Sequence, residues 1–206
     1  LGVPILFFNA WYQGLPFPHV SLDDKAAGKT ATQRLIRAGH RDIAGLFQSD
    51  DLQGHLRYAG YLEALMENGI DMNADRVLWF TTEDLPTLFG DSRRVMKRLG
   101  AATGVVCYND QVAVQLLAYL KERGLAVPQQ ISLVSVDNAA LAEHSDPPLT
   151  SVNHPKEVLG KATAENLLQK IENPAFDAGL EFEAKLVERA SVAKPASPPS
   201  QKGGEA

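Results

Sequence analysis

A single cysteine, Cys107, stands among the 206 residues, so neither an intrachain disulfide nor a redox pair can form. It lies inside an apolar run, where a free thiol behaves as a small buried hydrophobe. No run of about 18 apolar residues is present, which excludes a helical membrane span and leaves no membrane partner to expect. No cation-dense stretch of the kind that neutralises phosphates stands out, and the formal net charge is −5 with acids and bases interspersed. On that balance this chain alone is expected to bind DNA poorly. No glycine-rich loop of the P-loop or dinucleotide type follows any apolar run, which removes the anchor for nucleotide hydrolysis and hydride transfer. No nucleophile-elbow serine follows one either. His19, His40, His55, His144 and His154 are scattered without metal-ligand spacing, so no metal site and no cofactor are expected. The opening Leu1-Gly2-Val3-Pro4-Ile5 is neither an initiation nor a signal peptide, and reads as a sequence entered partway with something upstream missing.

What is present is a rhythm. Ile5-Leu6-Phe7-Phe8 breaks into Asn9, Ile43 to Phe47 into Gln48-Ser49-Asp50-Asp51, Val105 to Tyr108 into Asn109-Asp110, and Leu133 to Val136 into Asp137-Asn138. Strands are expected at 4–8, 42–47, 76–80, 104–108 and 131–136, alternating with helices at 25–38, 53–68, 87–99 and 110–123. Alternation of this kind means βαβ units and an α/β fold with a doubly wound parallel sheet. In 53–68, Leu56, Ala59, Tyr61-Leu62 and Leu65 keep a helical stripe, and Asn68-Gly69 offers a stop. In 110–123, Asn109 is a ready N-cap and Val112, Leu116, Leu117 and Leu120 make the stripe. Asp146-Pro147-Pro148 forces an extended connection, and His154-Pro155 opens a helix to about Ile171. A last strand is expected over 181–187. Beyond it, 191–206 is rich in Pro, Ser, Gly and Lys and is expected to be a disordered tail.

In an open parallel sheet the carboxyl ends of the strands share one edge, so residues placed just after each strand line one crevice. Here they are Asn, Asp, Gln, Arg and aromatic, a set suited to a small polyhydroxylated ligand. Asp50 or Asp51 caps the helix that follows or faces that crevice; Gln53 and Arg57, four residues apart, share a helix face at its end. A guanidinium fork there can serve two hydroxyls or pair with a buried acid. Asn109 fits equally as a cap or as a ligand contact. Asp137 closes a buried apolar run, where its carboxylate needs a turn N–H or a ligand hydroxyl. Trp11, Tyr12, Trp79 and Phe80 offer flat rings that could stack on a sugar's C–H face, against a default of core packing. Gly39-His40 reads as a helix end with a structural histidine.

Several segments together resemble the effector-binding domain of lactose/galactose-repressor family transcription regulators, which have the type I periplasmic-binding-protein fold. They are Val20-Ser21-Leu22-Asp23-Asp24, Leu35 to Ala44 with its Ala38-Gly39-His40, Gln53-Gly54-His55-Leu56-Arg57-Tyr58-Ala59-Gly60, Cys107-Tyr108-Asn109-Asp110, Val127-Pro128 through Asp137-Asn138, and Leu149-Thr150-Ser151-Val152. They run in family order over residues 1 to about 192. Phe47 to Gly54 and Val152-Asn153-His154-Pro155-Lys156 are most similar to the arabinose-responsive repressors of Gram-positive bacteria. One departure is Val134-Ser135-Val136 before Asp137, where the family has Gly and Tyr or Phe, so local packing is expected to differ.

The resemblance implies a cytoplasmic, non-catalytic sensor. A sugar, L-arabinose or a relative, binds between two subdomains of a homodimer, and DNA is held only through an N-terminal head absent from this chain. Family sugar contacts fall on Arg57, Asn109 and Asp137, and with less motif support on Asn9, Asp51, Gln53 and His154; Tyr12 and Phe80 follow from position. The implied division is 1–23 with 154–178 as a truncated N-terminal subdomain holding one strand and a returning helix, and 24–153 with 179–190 as a nearly complete C-terminal subdomain. Residues 1–22 and 154–175 are then expected to pack poorly, and the isolated chain to bind sugar weakly or not at all. Two other readings stand beside this one: a sugar-binding protein of a transport system with the same fold, and a doubly wound enzyme using Asp50, Asp51 or Asp137 as acid or base. Upstream sequence separates carrier from repressor, and turnover of a sugar would favour the enzyme.

Overall fold

The computed structural model describes residues 3–12 and 14–196. In chain order the elements are β1 (Phe7–Phe8), β2 (His19–Leu22), α1 (Asp24–Ala38), β3 (Ile43–Gln48), α2 (Leu52–Glu67), β4 (Val77–Phe80), α3 (Ser92–Leu99) and β5 (Gly104–Cys107). They continue with α4 (Asp110–Glu122), β6 (Ser132–Asp137), α5 (Ala140–His144), β7 (Thr150–Asn153), α6 (Lys156–Glu172), β8 (Leu180–Phe182) and β9 (Lys185–Val187). Two sheets result: a six-stranded one ordered β4-β3-β5-β6-β7-β9 and a three-stranded one ordered β1-β2-β8. Among the described residues, only β9 runs antiparallel to its neighbour.

The large sheet is buried on both faces because its strands are apolar at consecutive positions, and successive side chains point to opposite sides. Leu46, Val105 and Leu133 enter one core with Leu116 and Leu120 of α4, whereas Phe47, Val106 and Val134 enter another with Leu35 of α1 and Tyr61 of α2. Side-chain caps start the helices at the strand ends: Asp23 accepts from Ala26 N–H at 2.7 Å, Asp51 from Gly54 N–H at 2.6 Å and Asn109 from Val112 N–H at 3.0 Å. Gly39, at φ 104°, closes α1 in the left-handed region that other residues disfavour. Gly28 and Gly60 bring α1 and α2 together, since a Cβ on Gly28 would fall 2.0 Å from the Arg57 carbonyl oxygen and one on Gly60 1.9 Å from that of Lys25. That close approach is what lets a side chain of α2 meet the start of α1.

Four expectations change. The helix expected at 87–99 begins only at Ser92, capped by Asp91, because Phe89-Gly90 follows a separate 3-10 turn at Leu85–Thr87. The last strand divides: β8 pairs with β2 of the small sheet, and β9 pairs with β7 of the large one. The smaller part consequently holds three strands rather than one, with β2 supplied by the His19–Leu22 segment. Within the segment expected to be disordered, Ser191 to Ala193 are pinned along β6 and β7. Leu133 N–H donates to Ser191 O at 2.9 Å, and Ser191 Oγ donates to Leu133 O at 2.6 Å while accepting from Thr150 N–H at 2.8 Å. His40 is buried and bridges Thr103 Oγ1 and Ala193 O, each at 2.9 Å, which is the structural role expected for it. Small polar side chains near the strand starts hold this segment, and Val192 packs against the core beside them. Residues 197–206 of the expected tail lie outside the described residues.

Candidate functional site

Arg57 is the hub of the strand-end edge. It projects from the second turn of α2 and is only 3% exposed; Nε donates to Asp24 Oδ1 at 2.8 Å and Nη1 to Tyr108 O at 2.6 Å, and the guanidinium lies 4.7 Å from the centre of the Tyr108 ring. Gln53, one turn earlier, donates to the other Asp24 oxygen at 3.3 Å. Burial works against the charge on Arg57, but Asp24 and Asp137 more than offset it and hold the side chain protonated. Burial raises the Asp24 carboxyl above its ordinary range, and the bond to Arg57 pulls it back. Asp51 does double duty: one oxygen caps α2 and the other accepts a very short hydrogen bond from the Tyr108 hydroxyl.

Asp137, at the end of β6, has a different environment. Its carboxylate is 20% exposed and lies 3.9 Å from Arg57 Nη2, 3.9 Å from Lys156 Nζ and 4.0 Å from His154 Nδ1. These separations exceed a hydrogen bond, so three donors surround the group and none satisfies it. Burial raises its carboxyl, against the pull of Arg57 and Lys156. His154, 8% exposed at the start of α6, has its Nε2 buried without a partner. Burial, followed by the nearby Arg57 and Lys156, lowers its pKa to about 4, so the ring is neutral near pH 7. Beside this group opens a cleft of about 380 Å³ lined by Asp137, Asn138, Asn153, His154, Lys156 and their neighbours. The dimensions suit one or two sugar rings.

The structure thus gathers Asp51, Gln53, Arg57, Asp137 and His154, with Asn109 at the same edge. Asn109 is a cap through Oδ1, and its amide nitrogen donates to no group among the described residues, so it has one function filled and one open. Asn9 stands apart from this cluster, just after β1, one step beyond the Phe8–Val20 pairing and therefore level with Ser21. Asn9 Oδ1 and Ser21 Oγ are both buried without partners. Tyr12 is 69% exposed and packs edge-on against Phe7, away from the cluster. Phe80 ends β4 instead of following it, so its ring turns into the core and meets Tyr108 edge-on at 6.0 Å; it backs the site rather than offering a face. Trp79 is likewise engaged by Phe47, Tyr58 and His55, and Trp11 stacks on His19. Asp50 is no cap: it accepts from Thr82 N–H at 2.9 Å.

Sequence reasoning passed over Asp24 and Tyr108. The signals were present, a second acid directly after the capping Asp23 and an aromatic directly before the capping Asn109. It also passed over Asp110, which is fully buried behind Asp137 and accepts hydrogen bonds from Ser135, Ser151 and the Ala139 N–H. Among the described residues there is no group of His, Cys, Asp and Glu able to hold a metal, and no helix long and apolar enough to cross a membrane.

Two parallel α/β layers joined by several chain crossings, with a polar cleft at their strand ends, define a two-lobed ligand-binding fold. The chain belongs to the periplasmic binding protein-like domain family, which matches residues 32–192, and within it to the effector domains of lactose/galactose-repressor-type regulators. It is 35% identical over 201 residues, 94% of its length, to the arabinose metabolism transcriptional repressor of Halalkalibacterium halodurans, and covers 54% of that protein. Against the protein of the same description from Geobacillus stearothermophilus it is 37% identical over 180 residues, covering 86% of this chain and 50% of the other. The chain therefore spans about half the length of these curated relatives. Among solved structures it matches the complex of the transcriptional regulator CelR with cellobiose at a TM-score of 0.83 and 31% identity, over 92% of this chain and 59% of that one.

Proposed function

We infer that this chain is the effector-binding part of a cytoplasmic transcription repressor, and that its ligand is an uncharged sugar, L-arabinose or a close relative. The observation that carries this reading is Asp137: a carboxylate ringed by Arg57, His154 and Lys156 at 3.9 to 4.0 Å with no hydrogen bond to any of them. A sugar hydroxyl both donates and accepts, so a hydroxyl donating to Asp137 can accept from up to two of these neighbours, and two adjacent hydroxyls could serve all three. The open amide of Asn109 and the unpartnered Nε2 of His154 offer further contacts of the same kind. Asp24, Asp51 and Asp137 outnumber Arg57 and Lys156, a balance that disfavours a phosphorylated sugar. The names of the relatives, repressors of arabinose metabolism and a regulator that takes cellobiose, support a sugar and a regulatory role over catalysis.

Asn9 belongs to the facing wall, where its unpartnered Oδ1 and the Ser21 Oγ await a polar group. Arg57 ties the start of α1 to the end of β5 and points at Asp137, so ligand on Asp137 is sensed where the two lobes join. A sugar that binds one lobe arrangement more tightly shifts the population toward it, and attached DNA-binding heads in a homodimer respond through that shift. Those heads would lie in the rest of the protein.

The test is calorimetry on the full-length protein with L-arabinose, D-ribose, cellobiose, adenine and arabinose 5-phosphate. Stoichiometric binding of an uncharged sugar is expected, lost by about a hundredfold in Asp137→Ala. Binding of adenine or of the phosphate ester alone would overturn the assignment. The 206-residue chain by itself should bind the same sugar far more weakly.

A further inference from the structure

Asp137 and the residue after it have backbones that side chains disfavour: φ is 115° at Asp137 and 50° at Asn138. Two consecutive left-handed residues other than glycine persist only where their surroundings dictate them. The surroundings here converge on one group. Asp110 is 1% exposed, at the first turn of α4, with no cation beside it among the described residues. Its Oδ2 accepts from Ala139 N–H at 2.7 Å; its Oδ1 accepts from Ser151 Oγ at 2.7 Å and, in a very short bond, from Ser135 Oγ. Ser151 Oγ in turn accepts from Asn138 N–H at 3.0 Å. Asn138 is then locked from outside, its Nδ2 donating to Asn153 at 3.0 Å and its Oδ1 accepting from Arg189 at 2.7 Å.

We propose that Asp110, Ser135 and Ser151 form a positioning network for the effector site: without touching the ligand, they hold the left-handed Asp137-Asn138 turn and so aim the Asp137 carboxylate at Arg57, His154 and Lys156. The network ties four elements to one carboxylate, the start of α4, the middle of β6, the middle of β7 and the turn leading to α5. A buried carboxylate without a cation is costly unless its acceptor sites are filled, and here both oxygens are filled, one by the Ala139 N–H just after the turn and the other by two serines, of which Ser151 also holds the Asn138 N–H. The proposal rests on the assignment of Asp137 to the effector, and its test has an arm that does not.

In that arm, amide hydrogen exchange is compared among this chain and its variants Ser135→Ala, Ser151→Ala and Asp110→Asn. Leu99→Ala, in the core far along α3, serves as a control destabilised to a similar degree. The expected result is acceleration by about tenfold over residues 136–140 in the network variants, with α4 changed no more than in the control. In the second arm, sugar affinity of the full-length protein should fall by about tenfold in Ser151→Ala and stay near that of the parent in Leu99→Ala. Uniform acceleration across the chain, or an unchanged turn, would overturn the proposal; so would a normal sugar affinity in Asp110→Asn. If the parent binds no sugar, the effector reading fails while the exchange arm still decides for or against the network.

Discussion

The two sheets of this molecule differ in how completely their own chain covers them. In the six-stranded lobe, α1 buries seven of its fifteen residues and the strands β5 and β6 are buried almost throughout. In the three-stranded lobe, α6 buries Leu159 alone out of seventeen. Nine of the twelve large apolar side chains exposed among the described residues lie in that lobe, including Phe8, Phe17, Val158, Leu168, Ile171 and Leu180. Polar groups follow this division only in part, since Asp137 in the large lobe has no hydrogen bond to the groups around it and Arg34 Nε on α1 is buried without a partner among the described residues. At the strand ends of the large lobe, Asp24, Asp51 and Asp110 all have partners, whereas Asn9 Oδ1 and Ser21 Oγ in the small lobe have none. One lobe is largely covered by its own helices and carries a wired charge network, and the other presents apolar surfaces that the described residues leave uncovered.

If that contrast is right, the largest effect should come from the buried hub. Arg57→Ala would leave Asp24 buried without its cation and would remove one of the two cations beside Asp137. Breaking such a pair by removing one partner costs about 3–5 kcal/mol. Urea unfolding monitored by circular dichroism should show a loss of that size, and a loss below about 1 kcal/mol would mean that the network is decoration on a stable core.

His154 sits where the lobes meet and gives a smaller, pH-dependent test. Its pKa falls from an ordinary 6.5 to about 4 in the folded chain, chiefly through burial. Between those limits the unfolded chain binds the extra proton and the folded chain does not, so stability must fall as acid is added across that window. Asp24 and Asp137, raised by burial, act in the opposite sense at its acid end, because their protonation favours the folded form. The difference between the parent and His154→Gln isolates the histidine. Relative to the variant, the parent should lose up to about 3 kcal/mol between pH 6.5 and 4, and parallel profiles would place His154 in solvent.

The same contrast explains what could be read from the sequence. Apart from the late start of α3, the expected strands and helices of the large lobe stand within one or two residues of their bounds, because doubly buried strands are apolar runs and the caps Asp51 and Asn109 mark the helix starts. β2 was missed as a strand, since His19-Val20-Ser21-Leu22 mixes polar and apolar residues in four positions. The β8–β9 region read as one strand because sequence pattern carries no sign that a chain leaves one sheet for another. At the site, Arg57 and Asp137 were legible from type and spacing. Asp110 was not, because Ser135 and Ser151 meet it from 25 and 41 residues away. The pinned segment 191–193 escaped for the same reason, being held chiefly by hydrogen bonds with Ser132, Leu133 and Thr150, far away along the chain.

The smallest expected effect is the sharpest test of the uncovered lobe. Leu168 and Ile171 lie on α6 at 61% and 55% exposure, so replacing both with serine removes little buried area. Substitutions of this kind stay within about 0.5 kcal/mol, apart from a modest loss of helix propensity. A buried leucine such as Leu116 in α4 should instead cost about 2–5 kcal/mol on truncation to alanine. Unfolding of this chain should therefore scarcely register Leu168→Ser/Ile171→Ser and should register Leu116→Ala strongly. In the full-length protein the comparison becomes diagnostic. If the serine pair remains silent there too, the α6 face is solvent-exposed by design; a loss of 2 kcal/mol or more would mean that residues outside this chain close over it. The second outcome would turn the contrast between the lobes from a property of the fold into a property of where the chain's partners lie.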